Sequence, residues 1–245
     1  MRFAVRSDRG IIRNINEDSY NIIAGYPGIP VAFMIADGMG GHNSGEVASK
    51  LAVDFIGNYI MQYPEHLLSD AGIEDNIIDL IGRANKFIYE TSKENETYSG
   101  MGTTLILAIV GGKRLVVGHI GDSRLYVVET GTVNQLTKDH SFIEELLRNG
   151  SISREEADNH PQKNVITRAL GCYEDIEVDT YTYNFHDGDV FVICTDGLSN
   201  KLTGDEIMNI VTEFDDPETA CEELVKKANE RGGEDNVTVI VAKID

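Results

Sequence analysis

Aspartate recurs at one kind of place in this sequence, the end of an apolar run. Residues 31–36 lead into Asp37-Gly38, residues 116–120 into Gly121-Asp122, and residues 190–195 into Asp196-Gly197. Asp18 stands immediately before the extended segment 19–24, and Glu234-Asp235-Asn236 stands before the last one. An Asp-Gly pair after a strand is an ordinary turn. Five such aspartates are more than turns require if the strands share one sandwich, because their ends can then converge on one rim. Carboxylates crowded there repel one another unless hard cations neutralise them. Oxygen ligands suit magnesium, manganese or calcium rather than zinc. The run Gly38-Met39-Gly40-Gly41 does not complete a GxGxxG fingerprint, since Asn43 stands where the last glycine would be. It permits close backbone approach instead, so that the Gly38 carbonyl can turn inward as a ligand.

Other chemistries lack their signatures. The sequence has no HExxH, no EF-hand loop, no GxxxxGK[ST] and no GxSxG. Cys172, Cys194 and Cys221 are widely spaced and form no CxxC pair, so neither a disulfide framework nor a zinc site is indicated. Asp and Glu total 41 against 21 Lys and Arg, a formal net charge of −20. That argues against nucleic acid or an anionic membrane as partner. It suits bound divalent cations as well as a plain acidic surface. The longest apolar runs, 31–36 and 105–110, fall far short of the ~18 residues of a membrane span. The opening residues lack a signal-peptide core, and a reducing cytoplasm is the expected location.

The elements that must position these residues are legible from periodicity. Extended segments are expected at 2–6, 19–24 and 31–36. Val47, Ala48, Leu51, Ala52, Phe55, Ile56, Tyr59 and Ile60 form a helical stripe, with Asn43 and Glu46 as a capping box. A second helix over about 72–94 places Ile73, Ile77, Leu80, Ile81, Ala84 and Ile88 on one face. A β-meander is expected from about 102 to 137, with hairpin connections at Gly111-Gly112, Gly121-Asp122 and Thr130-Gly131. Residues 139–171 read as a polar, mobile excursion with short helices at Ser141 and Ser153. Strands follow near 177–183 and 190–194, helices from Thr203 and Pro217, and a last strand at 237–242. The 245 residues suit one domain of the α+β class: two antiparallel sheets packed together with helix pairs outside, a four-layer α-β-β-α sandwich.

The motifs together resemble a known family. Arg13-Asn14-Ile15-Asn16-Glu17-Asp18-Ser19 resembles the RxxNEDS opening of the metal-dependent serine/threonine protein phosphatases of the type 2C class. Asp37-Gly38-Met39-Gly40-Gly41-His42 is similar to their bacterial DGMGGH motif. Gly121-Asp122-Ser123-Arg124, Asp139-His140, the segment 166–171, Thr195-Asp196-Gly197-Leu198 and the segment 233–238 follow in family order, over nearly the whole chain. The resemblance implies a site with two manganese or magnesium ions at one edge of the sandwich. Asp37 would bridge both, Gly38 would bind one through its carbonyl, and Asp196 and Asp235 would hold the other. Asp18 or neighbouring Glu17 would contact the site through metal-bound water. Asp122, with Asp196, matches a third, weaker cation position. Residues 139–165 match a flap beside the cleft.

The resemblance further implies attack on phosphorus by a water held between the two metals, with no phosphoenzyme. Paired metals can lower the pKa of such a water far below ~15.7. Arg13 would be a bidentate phosphate clamp, and His42 a proton donor to the leaving alkoxide. His119, inside an apolar run, reads as a packed core residue, and Arg168 as a partner for a buried carboxylate. Implied partners are phosphorylated proteins and a Hanks-type serine/threonine kinase, with no nucleic acid and no membrane, and the chain is expected as a monomer. Two other readings compete: a non-catalytic metal-binding regulatory module, and an unrelated metal-dependent phosphoesterase for small molecules.

Overall fold

A computed structural model describes residues 1–40, 44–68, 72–158 and 160–245. Two antiparallel sheets form its centre. One has the strand order β1 (Arg2–Asp8), β11 (Val237–Lys243), β10 (Val190–Cys194), β7 (Arg124–Glu129) and β8 (Thr132–Gln135). The other runs β2 (Asp18–Ile23), β3 (Val31–Met39), β5 (Leu105–Gly111), β6 (Arg114–Ile120) and β9 (Asp179–Asn184), with the two-residue β4 (Gly102–Thr103) paired to the end of β3.

Strand alternation explains the layers. In β3, Phe33 and Ile35, with Ile106 of the neighbouring β5, face the other sheet, where they meet Leu125, Phe191 and Ile240. Ala32, Met34 and Ala36 face the opposite way, onto the helices α1 (Gly45–Gln62) and α2 (Ile73–Glu94). A strand buried on both faces reads as a continuous apolar run, which is why 31–36 shows no alternation in sequence. The α2 stripe is buried as its spacing predicts, from Ile73 through Ile88. On the far side, α6 (Gly204–Glu213) and α7 (Pro217–Glu230) bury Ile207, Val211, Leu224 and Ala228 against Val192, Val239 and Val241. The expected four layers are present, with three apolar interiors between them.

Local signals mark the helix starts. Thr203 and Glu206 form a complete capping box at α6. The Ser141 hydroxyl accepts from the Glu144 amide at the start of α3 (Phe142–Arg148), and Ser153 pairs with Glu156 at α4 (Arg154–Asp158). Asn43, assigned to the cap of α1, lies outside the described residues, and Ser44 holds the N-cap position.

Three expectations need correction. First, β3 does not stop at Ala36 but continues to Met39, so Asp37 and Gly38 lie within a strand. Pairing with Gly102 and Thr103 carries it on. Second, residues 102–137 are not one meander. β5 and β6 form a hairpin in one sheet, β7 and β8 a hairpin in the other, and Gly121-Asp122-Ser123 carries the chain between sheets. Gly121 makes that crossing at φ +109, pressed on Thr104 where a Cβ would fall 2.5 Å from the threonine Cγ2. Third, Asp196-Gly197 is not an ordinary turn after its strand. It opens the one-turn helix α5 (Asp196–Ser199) directly after β10.

The antiparallel order sends the start of β2, the ends of β3, β6 and β10, and the start of β11 to the same rim. Three connections cross between the sheets there, 9–17, 121–123 and 136–178, and each carries residues singled out from the sequence.

Candidate active site

Asp18 and Asp37 are direct cross-strand partners on β2 and β3. Like charges placed opposite one another destabilise a sheet unless something else holds them. Hydroxyl groups fix Asp18: Thr195 and Thr238 donate to its Oδ2 at 3.0 and 2.7 Å. Its Oδ1 is buried without a hydrogen-bond partner. Asp37 is fixed through its main chain, whose N–H donates to Thr104 Oγ1 at 2.9 Å and whose carbonyl accepts from Thr103 Oγ1 at 2.8 Å. Thr104 in turn shares a 2.8 Å hydrogen bond with Ser123, beside Asp122. Asp122 Oδ1 is likewise buried and unpartnered.

The carboxylates feel one another. Burial, followed by the charges of Asp18, Asp196, Asp122 and Asp235, holds the Asp37 carboxyl well above its ordinary pKa. Burial pushes Asp18 up to about 7, although its two threonine hydrogen bonds oppose the shift. Burial and then the Asp196 charge push Asp122 up to about 8. Asp196 is raised by burial and by Asp235, with hydrogen bonds to Asp37 and Asn200 acting the other way. Asp37 is the hub of this set. Among the described residues, no three acidic, histidine or cysteine side chains form a ready-made cation cage. The donor set still fits hard cations: it is all oxygen, and it offers two buried carboxylate oxygens with nothing to bind.

Gly38 sits where only glycine fits, because a Cβ would fall 2.1 Å from the Gly45 carbonyl and 2.6 Å from that of Glu17. This accords with the close approach read from the sequence. Glu17 is raised chiefly by burial, and its carbonyl accepts from the Gly38 N–H at 3.1 Å. Arg13 lies at the edge of the site, half-exposed, and donates to Asp235 Oδ2 at 2.9 Å and to the Glu234 carbonyl at 3.3 Å. His42 lies outside the described residues.

A groove of about 780 Å³ opens from Asp122 and Asp196, with Ser141, Glu144, Arg154 and Lys163 of the segment 139–165 on one side and Lys201 to Gly204 on the other. That segment leaves and returns through an isolated bridge between Ser141 and Ile166. His119 is fully buried, its pKa lowered to about 3, mainly by burial. Arg168 pairs with Asp179 at 3.1 Å and Glu177 at 2.8 Å, neither of them fully buried.

Sequence reasoning gave no role to Thr195, Thr238, Thr104 or Ser123. Thr195 and Ser123 adjoin a singled-out aspartate and Thr238 lies three residues after Asp235, and that adjacency was the available signal; Thr104 has no such neighbour in the sequence. Asp139 was quoted within a motif but given no role; its carboxylate accepts from Arg124 Nε at 3.0 Å and Nη2 at 2.6 Å. His140 ties the segment to the Gly121-Asp122 crossing. Its N–H donates to the Gly121 carbonyl at 2.8 Å, and its Nδ1 accepts from the Gly121 N–H at 3.1 Å.

Comparison with known proteins points the same way. The profile of the family described as Protein phosphatase 2C matches residues 13–229. The chain is 39% identical over 245 residues to the serine/threonine phosphatase stp of Listeria monocytogenes serotype 4b (strain F2365), covering 100% of this chain and 96% of that protein. The structure is similar to that of the serine/threonine phosphatase Stp1 from Staphylococcus aureus, with a TM-score of 0.92 at 33% identity, covering 99% and 94% of the two chains. It is also similar to the catalytic domain of the serine threonine protein phosphatase PstP in complex with 2 manganese ions, with a TM-score of 0.85 at 33% identity over 100% and 98%.

Proposed function

The chain belongs to the protein phosphatase 2C family, a family of hydrolases, and on that premise we propose that it removes phosphate from phosphoserine and phosphothreonine in proteins. The observation that carries this reading is the convergence of Asp18, Asp37, Asp122, Asp196 and Asp235 on one rim, with two buried carboxylate oxygens left unpartnered. The proposed ligands for two divalent cations, manganese or magnesium, are Asp37, the Gly38 carbonyl, Asp196 and Asp235, with Asp18 or Glu17 touching the site through water. Asp122 and Asp196 are proposed for a weaker third. Bound cations supply two things there: positive charge facing the phosphate dianion, and an activated water for in-line attack.

The protein's own residues do the rest. Arg13 binds the phosphoryl oxygens and orients the ester, because its planar fork matches two oxygens at once. Thr195 and Thr238 fix one oxygen of Asp18 and so leave the other facing the site. Thr104 and Ser123 hold the backbone of Asp37 in register with the Asp122 turn. His42 is assigned the proton for the leaving alkoxide. The groove beside the flap, residues 139–165, accepts the protein substrate and gives selectivity over small phosphate esters.

A Hanks-type kinase is the partner this activity would oppose, in the cytoplasm, with the phosphatase acting as a monomer. No helix among the described residues is long and apolar enough to cross a membrane. The test is phosphate release from a phosphothreonine peptide and from p-nitrophenyl phosphate, with and without manganese. No turnover of either would favour the regulatory module. Turnover of small esters alone would favour a small-molecule phosphoesterase.

A further inference from the structure

Asn236 directly follows Asp235 in the chain and is buried. Its side-chain amide commits both faces to a single loop. Nδ2 donates to the carbonyls of Arg9 and Ile15, each at 2.9 Å, and Oδ1 accepts from the Glu17 N–H at 2.8 Å. These contacts grip the β1–β2 loop on both sides of Arg13. The main chain of Asn236 is engaged too. Its N–H donates to Asp235 Oδ1 at 2.9 Å, and its carbonyl lies against Gly197, where a Cβ would fall 2.0 Å away. One residue thus touches the Arg13 loop, Asp235 and the residue after Asp196. The Arg13 side chain has only half-exposed partners, and a half-exposed ion pair fixes geometry weakly. Its placement against the carboxylates must come largely through the loop backbone.

We propose that Asn236 is a positioning residue for phosphate binding: it holds the Arg13 loop in register with Asp235, so the grip of Arg13 on an anion depends on an amide that never touches it. This rests on the reading of Arg13 as the phosphate ligand. The chemistry demands an amide. An aspartate of the same shape has no donor and would face two carbonyl oxygens. Alanine leaves two carbonyls and one N–H without partners. In either case the loop loses its side-chain anchors at residues 9, 15 and 17, on both sides of Arg13, and keeps the Ile11 and Ile12 N–H bonds to the Gly233 carbonyl, while β11, which starts one residue later, keeps its ladder pairing.

The test is a double-mutant cycle between Asn236→Ala and Arg13→Ala. It is read as KM and kcat for a phosphothreonine peptide, the Kd of inorganic phosphate with magnesium present, and a melting curve. Asn236→Ala is expected to raise KM and Kd on the order of tenfold, the scale of one charge-assisted contact, with a much smaller change in kcat. Added to Arg13→Ala, it should change KM and Kd no further, because a residue acting through Arg13 has nothing left to position. Additive losses, or an unchanged KM in Asn236→Ala, would overturn the proposal. Asn236→Ser, which keeps a donor, replaces the alanine variant if that one does not fold. Failure of both to fold would make the residue purely structural and also overturn the proposal. A wild type that binds phosphate without hydrolysing any peptide would count against the proposed function alone. No phosphate binding by the wild type would overturn both.

Discussion

The Arg13 guanidinium donates to Asp235 Oδ2 at 2.9 Å, so the residue assigned to phosphate is paired with a carboxylate assigned to a cation. The two assignments are therefore linked. A cation drawing on Asp235 competes with Arg13 for that oxygen, and a phosphate competes with Asp235 for the guanidinium. The pair is half-exposed, so little stability depends on it and either competitor can open it.

Replacing Arg13 should weaken substrate binding more than chemistry. Losing a charge-assisted contact costs about 1.5–3 kcal/mol, or roughly 10- to 150-fold in kcat/KM. Arg13→Ala should show this mainly as a higher KM if the contact is equal in ground and transition states. Arg13→Lys should recover only part, since a point charge lacks the fork. Unchanged kinetics in the alanine variant would return Arg13 to the surface.

Removal of the cations should abolish turnover. EDTA is expected to stop hydrolysis, and manganese or magnesium to restore it. Asp37→Asn and Asp235→Asn should each lose most activity, because a neutral amide binds a divalent cation weakly. The loss should be greater at Asp37, the carboxyl that senses all four of the others. Near-normal rates in either variant, measured with saturating manganese, would sink the two-cation mechanism.

How much of this was legible depended on whether a signal was local. The helix stripe of α2 and the helix start at Thr203 are written in short windows, and each was found where expected. The crossing at Gly121-Asp122-Ser123 was not, because a Gly-Asp pair between two strands fits a hairpin as well as a jump between sheets. Only packing against Thr104 decides between them. Asp37 was placed after its strand because β4, which extends the pairing, is two residues long and has no pattern of its own. The hydrogen bonds of Asn236 span more than 200 positions, as the separation of 227 from Arg9 shows, and no local rule reaches that far.

Acidity should stabilise the cation-free protein. Asp18 is pushed up to about 7 and Asp122 to about 8, with burial the largest cause in each. A carboxyl with a folded pKa above its unfolded value binds its proton more tightly when folded. Its contribution is fully present below the unfolded pKa near ~3.9 and is lost as pH rises through the folded value. In EDTA, Tm should therefore fall from about pH 5 to about pH 8. Magnesium should raise Tm more at the alkaline end, where the carboxylates are charged. Asp122→Asn should flatten the slope. A Tm in EDTA that does not fall over this range would contradict the carboxylate cluster.

Asp122 separates a turn residue from a cation ligand most sharply. As a turn residue it should accept hydrogen bonds that shape the crossing, and Asp122→Ala would cost about 1 kcal/mol with kcat intact. Its Oδ1 is instead buried with no partner, and its carboxyl is held above the ordinary range by burial and by Asp196. A side chain in that state adds strain rather than stability to the cation-free protein. Asp122→Ala should therefore leave the melting temperature in EDTA unchanged or higher. The pair of cations assigned to Asp37, Asp196 and Asp235 should still bind, because none of those residues is altered. Turnover should nevertheless fall sharply, since the weaker site loses one of its two carboxylates and with it the charge near the leaving group. The measurement is kcat for a phosphopeptide across a manganese titration, alongside melting curves with and without EDTA. A variant that melts lower and turns over normally would make Asp122 a turn residue and remove the third cation from the mechanism.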